Sequence, residues 1–248
     1  MREGSRVVVD IHPNLTENIT PSRARSRETL MIAIVDYRAG NLTSVKLAFQ
    51  ALGVDAVVTS DPAVIPQADR VVFPGVGAAG SAMQNLSDLK LISVLRQVAS
   101  SGKPFLGICL GTQILLDFSE EDGGTPTLGI LPGRVPRFQP SDRWDKVPQI
   151  GWNQVRIVRP HPLLEGIADN SEFYFVHSFY PAPADASLAL GTTDYAGVTF
   201  ASMVGRGNVA ATQFHPEKSG RVGLRLLENF VKWTGTTPAP QGKEGLEG

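Results

Sequence analysis

The sequence predicts an α/β fold: a mostly parallel sheet with helices on both faces, plus antiparallel strands in the C-terminal half. From Met31 to Cys109, short apolar runs alternate with helical stripes, a rhythm that builds crossover units around a parallel sheet. Beyond Leu128, strand-like runs follow one another across turns, as antiparallel neighbours do. A last amphipathic stretch, Arg221 to Trp233, returns a helix to the sheet.

In chain order, "MIAIVDY" from Met31 is a short apolar run closed by an acid and a turn, the form of a buried parallel strand. "NLTSVKLAFQALG" follows with Leu42, Val45, Leu47, Phe49 and Leu52 on a broad helical stripe, and Gly53 stands at the expected C-terminal cap. "VDAVVTS" and "RVVFPG" are two further strands, and a helical region from Gly80 to Ser101 breaks near Asp88. "KPFLGIC" is a strand, and "GRVPRF", "NQVRIV", "SEFYFVHSFY", "SLALGTT", "VTFASMV" and "NVAATQFH" are the later ones. No repeat or linker interrupts residues 31 to 233, so one domain is expected there. Residues 1 to 30 are expected to be a disordered extension, since their apolar run "VVV" is too short for a signal peptide. Residues 234 to 248 are expected to be a mobile tail.

Composition excludes several classes of function. Of 248 residues, 23 are Lys or Arg and 24 are Asp or Glu, so a net charge of −1 leaves no footprint for nucleic acid or an anionic membrane. No apolar run approaches the roughly 20 residues that span a bilayer. One cysteine forms no internal disulfide, which makes a cytoplasmic setting the default. Paired His or Cys at metal-ligand spacing are absent, so no metal is expected.

That one cysteine, Cys109, lies in "FLGICLGTQ". Gly-x-Cys-x-Gly at a strand end, opening a helix, is the cysteine form of a nucleophile elbow. Gly107 and Gly111 flank a turn where larger side chains would clash, and Cys109 would stand at the carboxyl edge of the sheet, where open α/β sheets bind ligands. A helix N-terminus there would favour thiolate over thiol, and the Leu110 amide would face a developing oxyanion. A buried structural thiol is the simpler alternative.

A thiol needs a base, and the chain has four histidines. His12 lies in the N-terminal extension, His161 in an expected surface turn, and His177 in the apolar strand "FYFVHSFY". His215 in "FHPEKS" remains. Pro216 restricts it to extended geometry, and Glu217, two residues on, projects to the same side and can fix the imidazole tautomer. Cys109, His215 and Glu217 are therefore the candidate catalytic triad. "GVGAAG" (75–80) matches a dinucleotide fingerprint but has no acidic residue about 20 positions on. Val76 and Gly77 better serve as a second source of oxyanion N–H.

With "GICLGTQ", "FPGVG" and "FHPEKS" together, the chain resembles the class I (triad) glutamine amidotransferases. More narrowly, "DYRAGNLTSV", "FPGVGAAG", "VPQIGWN" and "YFVHSFY" are similar to the glutaminase subunits of imidazole glycerol phosphate synthases, over residues 31 to 233. The resemblance implies a flavodoxin-like fold, hydrolysis of glutamine without a cofactor, and a heterodimer whose other member is a (β/α)₈ cyclase. It implies that ammonia passes to that partner for histidine biosynthesis. It further implies that Gln113 contacts substrate, that Ser178 and Phe179 hold its α-amino and carboxylate groups through backbone atoms, and that Trp152 and Asn153 face the partner. Arg38 departs from the family's usual glycine and Thr112 from its common methionine. The open alternatives are the glutaminase component of anthranilate or pyridoxal phosphate synthase, a free-standing γ-glutamyl hydrolase, and a non-catalytic redox or scaffold module.

Overall fold

The computed structural model describes residues 30–140 and 142–236. The expectations for residues 1 to 30 and for the tail lie almost entirely outside them. At the described end of the tail, Trp233 Nε1 donates to the Thr236 carbonyl at 2.8 Å.

The elements run β1 (Ile32–Val35), α1 (Leu42–Ala51), β2 (Ala56–Thr59), β3 (Arg70–Gly75), α2 (Ala79–Asp88), α3 (Leu91–Ser100), β4 (Phe105–Cys109) and α4 (Leu110–Ile114). There follow β5 (Phe118–Ser119), β6 (Thr125–Pro126), β7 (Gly133–Val135), β8 (Gln149–Ile157), β9 (Ser171–His177), β10 (Ala182–Pro183), β11 (Ala189–Tyr195), β12 (Val198–Arg206), β13 (Val209–Thr212) and α5 (Gly220–Lys232). Nine strands form one sheet in the order β2-β1-β3-β4-β13-β12-β11-β8-β9. The first five are parallel, and from β13 onward each neighbour is antiparallel. The C-terminal run of strands thus rejoins the parallel half at β4, the strand that carries Cys109.

Alternation along the parallel strands feeds two cores. Ile32, Ile34, Val72 and Leu106 face Val45 and Phe49 of α1 and Leu226 and Phe230 of α5. Ala33, Val35, Val71, Phe73 and Phe105 face Leu86, Leu91 and Leu95 of α2 and α3. Each fully buried Leu or Phe contributes roughly 1.5–3 kcal/mol through its burial. The helix break expected near Asp88 is Lys90, which holds φ 58°, and Gly53 follows α1 with φ 71°.

Some expectations fail on geometry. Leu47 is 57% exposed, because α1 buries Val45, Ala48 and Phe49 against the core with Leu42 and Leu52 partly buried beside them, an arc that leaves Leu47 out. β8 begins at Gln149, four residues before its expected start. A second sheet, β10-β7-β5-β6, contains two-residue strands too short for any periodicity to register.

His161 is not a solvated turn residue. Its ring is 7% exposed beneath Trp233, 5.0 Å between ring centres, and Nδ1 accepts the Leu163 N–H at 3.2 Å. Burial and the nearby Arg159 lower its pKa to about 4, and burial lowers that of His177 to about 4 as well. Both rings are neutral when folded, whereas an unfolded histidine takes up a proton near pH 6.5. Stability therefore falls as pH drops from about 6.5 to 4, by on the order of 3 kcal/mol per histidine. Urea midpoints at pH 7 and pH 4 should register the loss, and His161→Gln should remove about half of the pH dependence.

Candidate active site

β4 lies between β3 and β13, with Gly75 opposite Cys109 and Thr212 opposite Ile108. At the strand end Cys109 adopts φ 54° and ψ −112°, a conformation that costs a non-glycine residue roughly 1–3 kcal/mol and clusters at functional sites. Gly111 makes this turn possible. A Cβ there would lie 1.8 Å from the Phe73 carbonyl oxygen, whereas at Gly107 it would meet side-chain atoms of Leu115 and Ala211 at 2.9 and 3.0 Å. α4 has only five residues, so its axial dipole is smaller than the elbow pattern suggests. Thr112 ties this short helix to β13, its hydroxyl donating to the Thr212 carbonyl at 2.6 Å.

β13 delivers the imidazole. Past Thr212 the chain bends at Gln213 and Phe214, His215 is extended (φ −99°, ψ 95°), and Pro216–Lys218 then close a 3₁₀ turn. That turn, rather than strand alternation, brings Glu217 back, and His215 Nδ1 donates to Glu217 Oε1 at 2.7 Å with both side chains buried. The His215 backbone is clamped as well: its N–H donates to the Tyr174 carbonyl at 2.9 Å, and its carbonyl accepts from Ser219 Oγ at 2.6 Å. Nε2 is buried and has no hydrogen-bond partner among the described residues, so it is the ring atom available to exchange a proton. Burial alone would lower the His215 pKa. The negative Cys109 sulfur, with a smaller contribution from Glu217, overrides this and pushes it up to about 10. A sulfur beside a buried imidazole that a carboxylate fixes is a nucleophile with its proton acceptor in place.

Two residues that sequence reasoning missed complete the arrangement. Asn41 Nδ2 donates to Glu217 Oε1 at 2.7 Å, across 176 residues of chain. Gln213 Nε2 approaches Cys109 Sγ at 3.7 Å, while its Oε1 accepts from Gln113 Nε2 at 3.0 Å. Gln113 also donates to the Phe179 carbonyl at 2.9 Å, and that oxygen meets His177 Nδ1 at 2.7 Å. The Ser178 carbonyl accepts from Phe138 N–H at 3.0 Å. Gln113 and Phe179 thus lie in one network with Gln213 beside the sulfur, and Ser178 is bonded separately to Phe138. The chain bends at Gln213 and Phe214, so strand alternation carried no signal for Gln213.

Gly77, with φ 106°, follows Val76 just beyond β3, and Leu110 opens α4 next to Cys109. The three residues expected around an oxyanion therefore follow the ends of two adjacent strands, β3 and β4. The dinucleotide reading of "GVGAAG" meets a physical obstacle, because Glu121 Oε2 already accepts the Ala79 N–H at 2.7 Å. A carboxylate stands where a pyrophosphate would bind. Among the described residues, no group of His, Cys, Asp or Glu could hold a metal ion, and no helix is long and apolar enough to cross a membrane.

Trp152 and Ile150 project from β8 at 55% and 64% exposure. Trp152 packs edge-on against Tyr174 of β9, 6.2 Å between ring centres. Asn153 instead turns its amide to the Asp194 carbonyl at 3.1 Å. β9 also brings the Val176 carbonyl to 3.9 Å from Cys109 Sγ, so the ribbon bearing exposed Trp152 and Ile150 borders the sulfur. Arg38 takes φ 66°, a left-handed conformation that favours the family's usual glycine.

Residues 33–233 match the family described as glutamine amidotransferase class-I. The chain is 53% identical over 208 residues to "Imidazole glycerol phosphate synthase subunit HisH" of Desulfovibrio desulfuricans, covering 82% of this chain and 94% of that one. The protein of the same name from Syntrophotalea carbinolica is 51% identical over 205 residues, covering 81% and 98%. Among solved structures, PurLQS from Thermotoga maritima shares the fold at TM-score 0.65 and 16% identity, covering 82% and 98%. A glutamine amidotransferase from the same organism shares it at TM-score 0.57 and 17% identity, covering 82% and 83%. An elbow sulfur, a carboxylate-fixed imidazole and this sheet agree with those likenesses: the chain belongs to the class-I glutamine amidotransferases and, within them, to the HisH family of imidazole glycerol phosphate synthase subunits.

Proposed function

We propose that the protein is the glutaminase subunit of an imidazole glycerol phosphate synthase, hydrolysing L-glutamine to glutamate and ammonia through Cys109, His215 and Glu217. The observation that carries this reading is the buried His215–Glu217 pair, 2.7 Å apart, at the sheet edge where Cys109 stands on its strained strand-to-helix turn.

The Cys109 thiolate attacks the side-chain amide carbon of glutamine. Charge moves to the amide oxygen, where the Leu110 amide and one from the Val76–Gly77 segment stabilise it. His215 Nε2 gives its proton to the departing nitrogen, the C–N bond breaks, and ammonia leaves a γ-glutamyl thioester on Cys109. Water then attacks the thioester, giving His215 a proton as it does so; the C–S bond breaks and glutamate leaves. Glu217 keeps Nδ1 protonated throughout and stabilises the imidazolium. Asn41, sharing Glu217 Oε1, holds that carboxylate in place.

The partner is a (β/α)₈ cyclase, which receives ammonia and makes imidazole glycerol phosphate for histidine biosynthesis. Trp152 and Ile150 give the exposed apolar edge of the contact, since aromatic residues are enriched in interface cores. The setting is the cytoplasm, in keeping with a single unpaired cysteine. Ammonia release from glutamine, measured with and without the cyclase and its ribotide substrate, tests the assignment. Release stimulated by the loaded cyclase is the expected result. Full release without a cyclase would instead identify a free-standing hydrolase.

A further inference from the structure

Tyr37, two residues beyond β1, is 1% exposed, and its ring rests on Phe73 of β3 with centres 5.1 Å apart. The packing needs only the ring. The hydroxyl is buried with no hydrogen-bond partner among the described residues, and an unmade bond at such a site is costly. Phenylalanine would serve the core better, which leaves the oxygen to be explained.

Its surroundings give the explanation. A Cβ on Gly75 would lie 1.8 Å from Tyr37 Oη and 3.2 Å from Leu110 Cβ, so the hydroxyl presses directly on the Gly75 backbone. Gly75 pairs with Cys109 across β3 and β4 and opens the segment leading to Val76 and Gly77. Burial and the nearby sulfur charge both raise the phenol pKa far above its ordinary value, so the oxygen remains a neutral donor with one hydrogen to place. It touches the one stretch at the site whose glycines leave the backbone free to turn.

Resting on the glutaminase reading above, we propose that Tyr37 is a positioning residue. Its hydroxyl donates to a backbone carbonyl of the Gly75–Gly77 segment in the competent arrangement, holding the Val76 and Gly77 amides toward the developing oxyanion. Tyr37 touches no reacting atom and acts only through that segment.

The test uses the assembled synthase, the full chain with its cyclase and saturating ribotide. Tyr37→Phe should lower kcat for glutamine hydrolysis about tenfold, less than the loss of an oxyanion donor outright, with KM unchanged. Its urea midpoint should equal or exceed that of the wild type, opposite to what a packing defect produces. An unchanged kcat overturns the proposal, as does a kcat that falls together with the urea midpoint and the rate of Cys109 alkylation by iodoacetamide. Gly75→Ala supplies a second measurement: the collision with Oη should lower the urea midpoint in the wild-type background and less in the Tyr37→Phe background. Equal losses in both would remove the contact on which the proposal stands. If the wild-type synthase releases no ammonia from glutamine, the glutaminase reading fails first and the role of Tyr37 fails with it.

Discussion

Replacing Cys109 with alanine is expected to abolish ammonia release from glutamine, by about 10⁴-fold or more, while the synthase still makes product from added ammonium salt. The asymmetry follows from the division of labour. The sulfur is needed only to break the amide bond, and the partner consumes ammonia from any source. A companion readout isolates the electrostatics. Since the sulfur charge is the largest influence raising His215, its removal leaves burial opposed only by Glu217, and the imidazole pKa should fall well below about 10. An NMR titration of the ring measures this. Product lost with both glutamine and ammonium salt would mean that assembly, not chemistry, had failed.

The second large effect is structural. Gly111→Ala would place a methyl group 1.8 Å from the Phe73 carbonyl oxygen, a backbone atom of a central strand. Neither β3 nor α4 can yield without breaking the β3–β4 ladder, so a loss above about 4 kcal/mol is expected. Gly107→Ala is a useful contrast. Its contacts are the tip of Leu115 at 2.9 Å and the Ala211 Cβ at 3.0 Å, side-chain atoms rather than a carbonyl oxygen at 1.8 Å, and overpacking of this kind costs about 1–3 kcal/mol. Urea midpoints of the two variants separate these cases, and similar small losses in both would show that α4 shifts to accommodate either.

How much of this was legible beforehand differs by region. The parallel half was readable because each of its strands is a short apolar run and each helix carries one apolar face. The elbow was readable for a similar reason: Gly107, Cys109 and Gly111 are neighbours in the chain, so spacing reports geometry. Asn41 was not, because its contact with Glu217 joins residues 176 apart and an asparagine that opens a helix looks like any other cap. His161 misled for the opposite reason. "RPHPLLEG" has the composition of a turn, and only the packing of Trp233 over the ring buries it. For Glu217 strand alternation predicts the approach to the imidazole, whereas in the structure a 3₁₀ turn brings the carboxylate to the ring.

The two clamped ends of the proton path have a consequence for the rate of proton transfer. Cys109 is fixed by its pairing with Gly75 on β3 and by the β13 ladder that ends at Ile108, and His215 by backbone bonds to Tyr174 and Ser219. The gap between sulfur and ring is thus set first by the strand spacing of about 4.8 Å and only then by side-chain rotation. The spacing for proton transfer is therefore built into the β-ladder, and a substitution that shifts β4 against β13 should slow the chemistry even with every catalytic side chain retained.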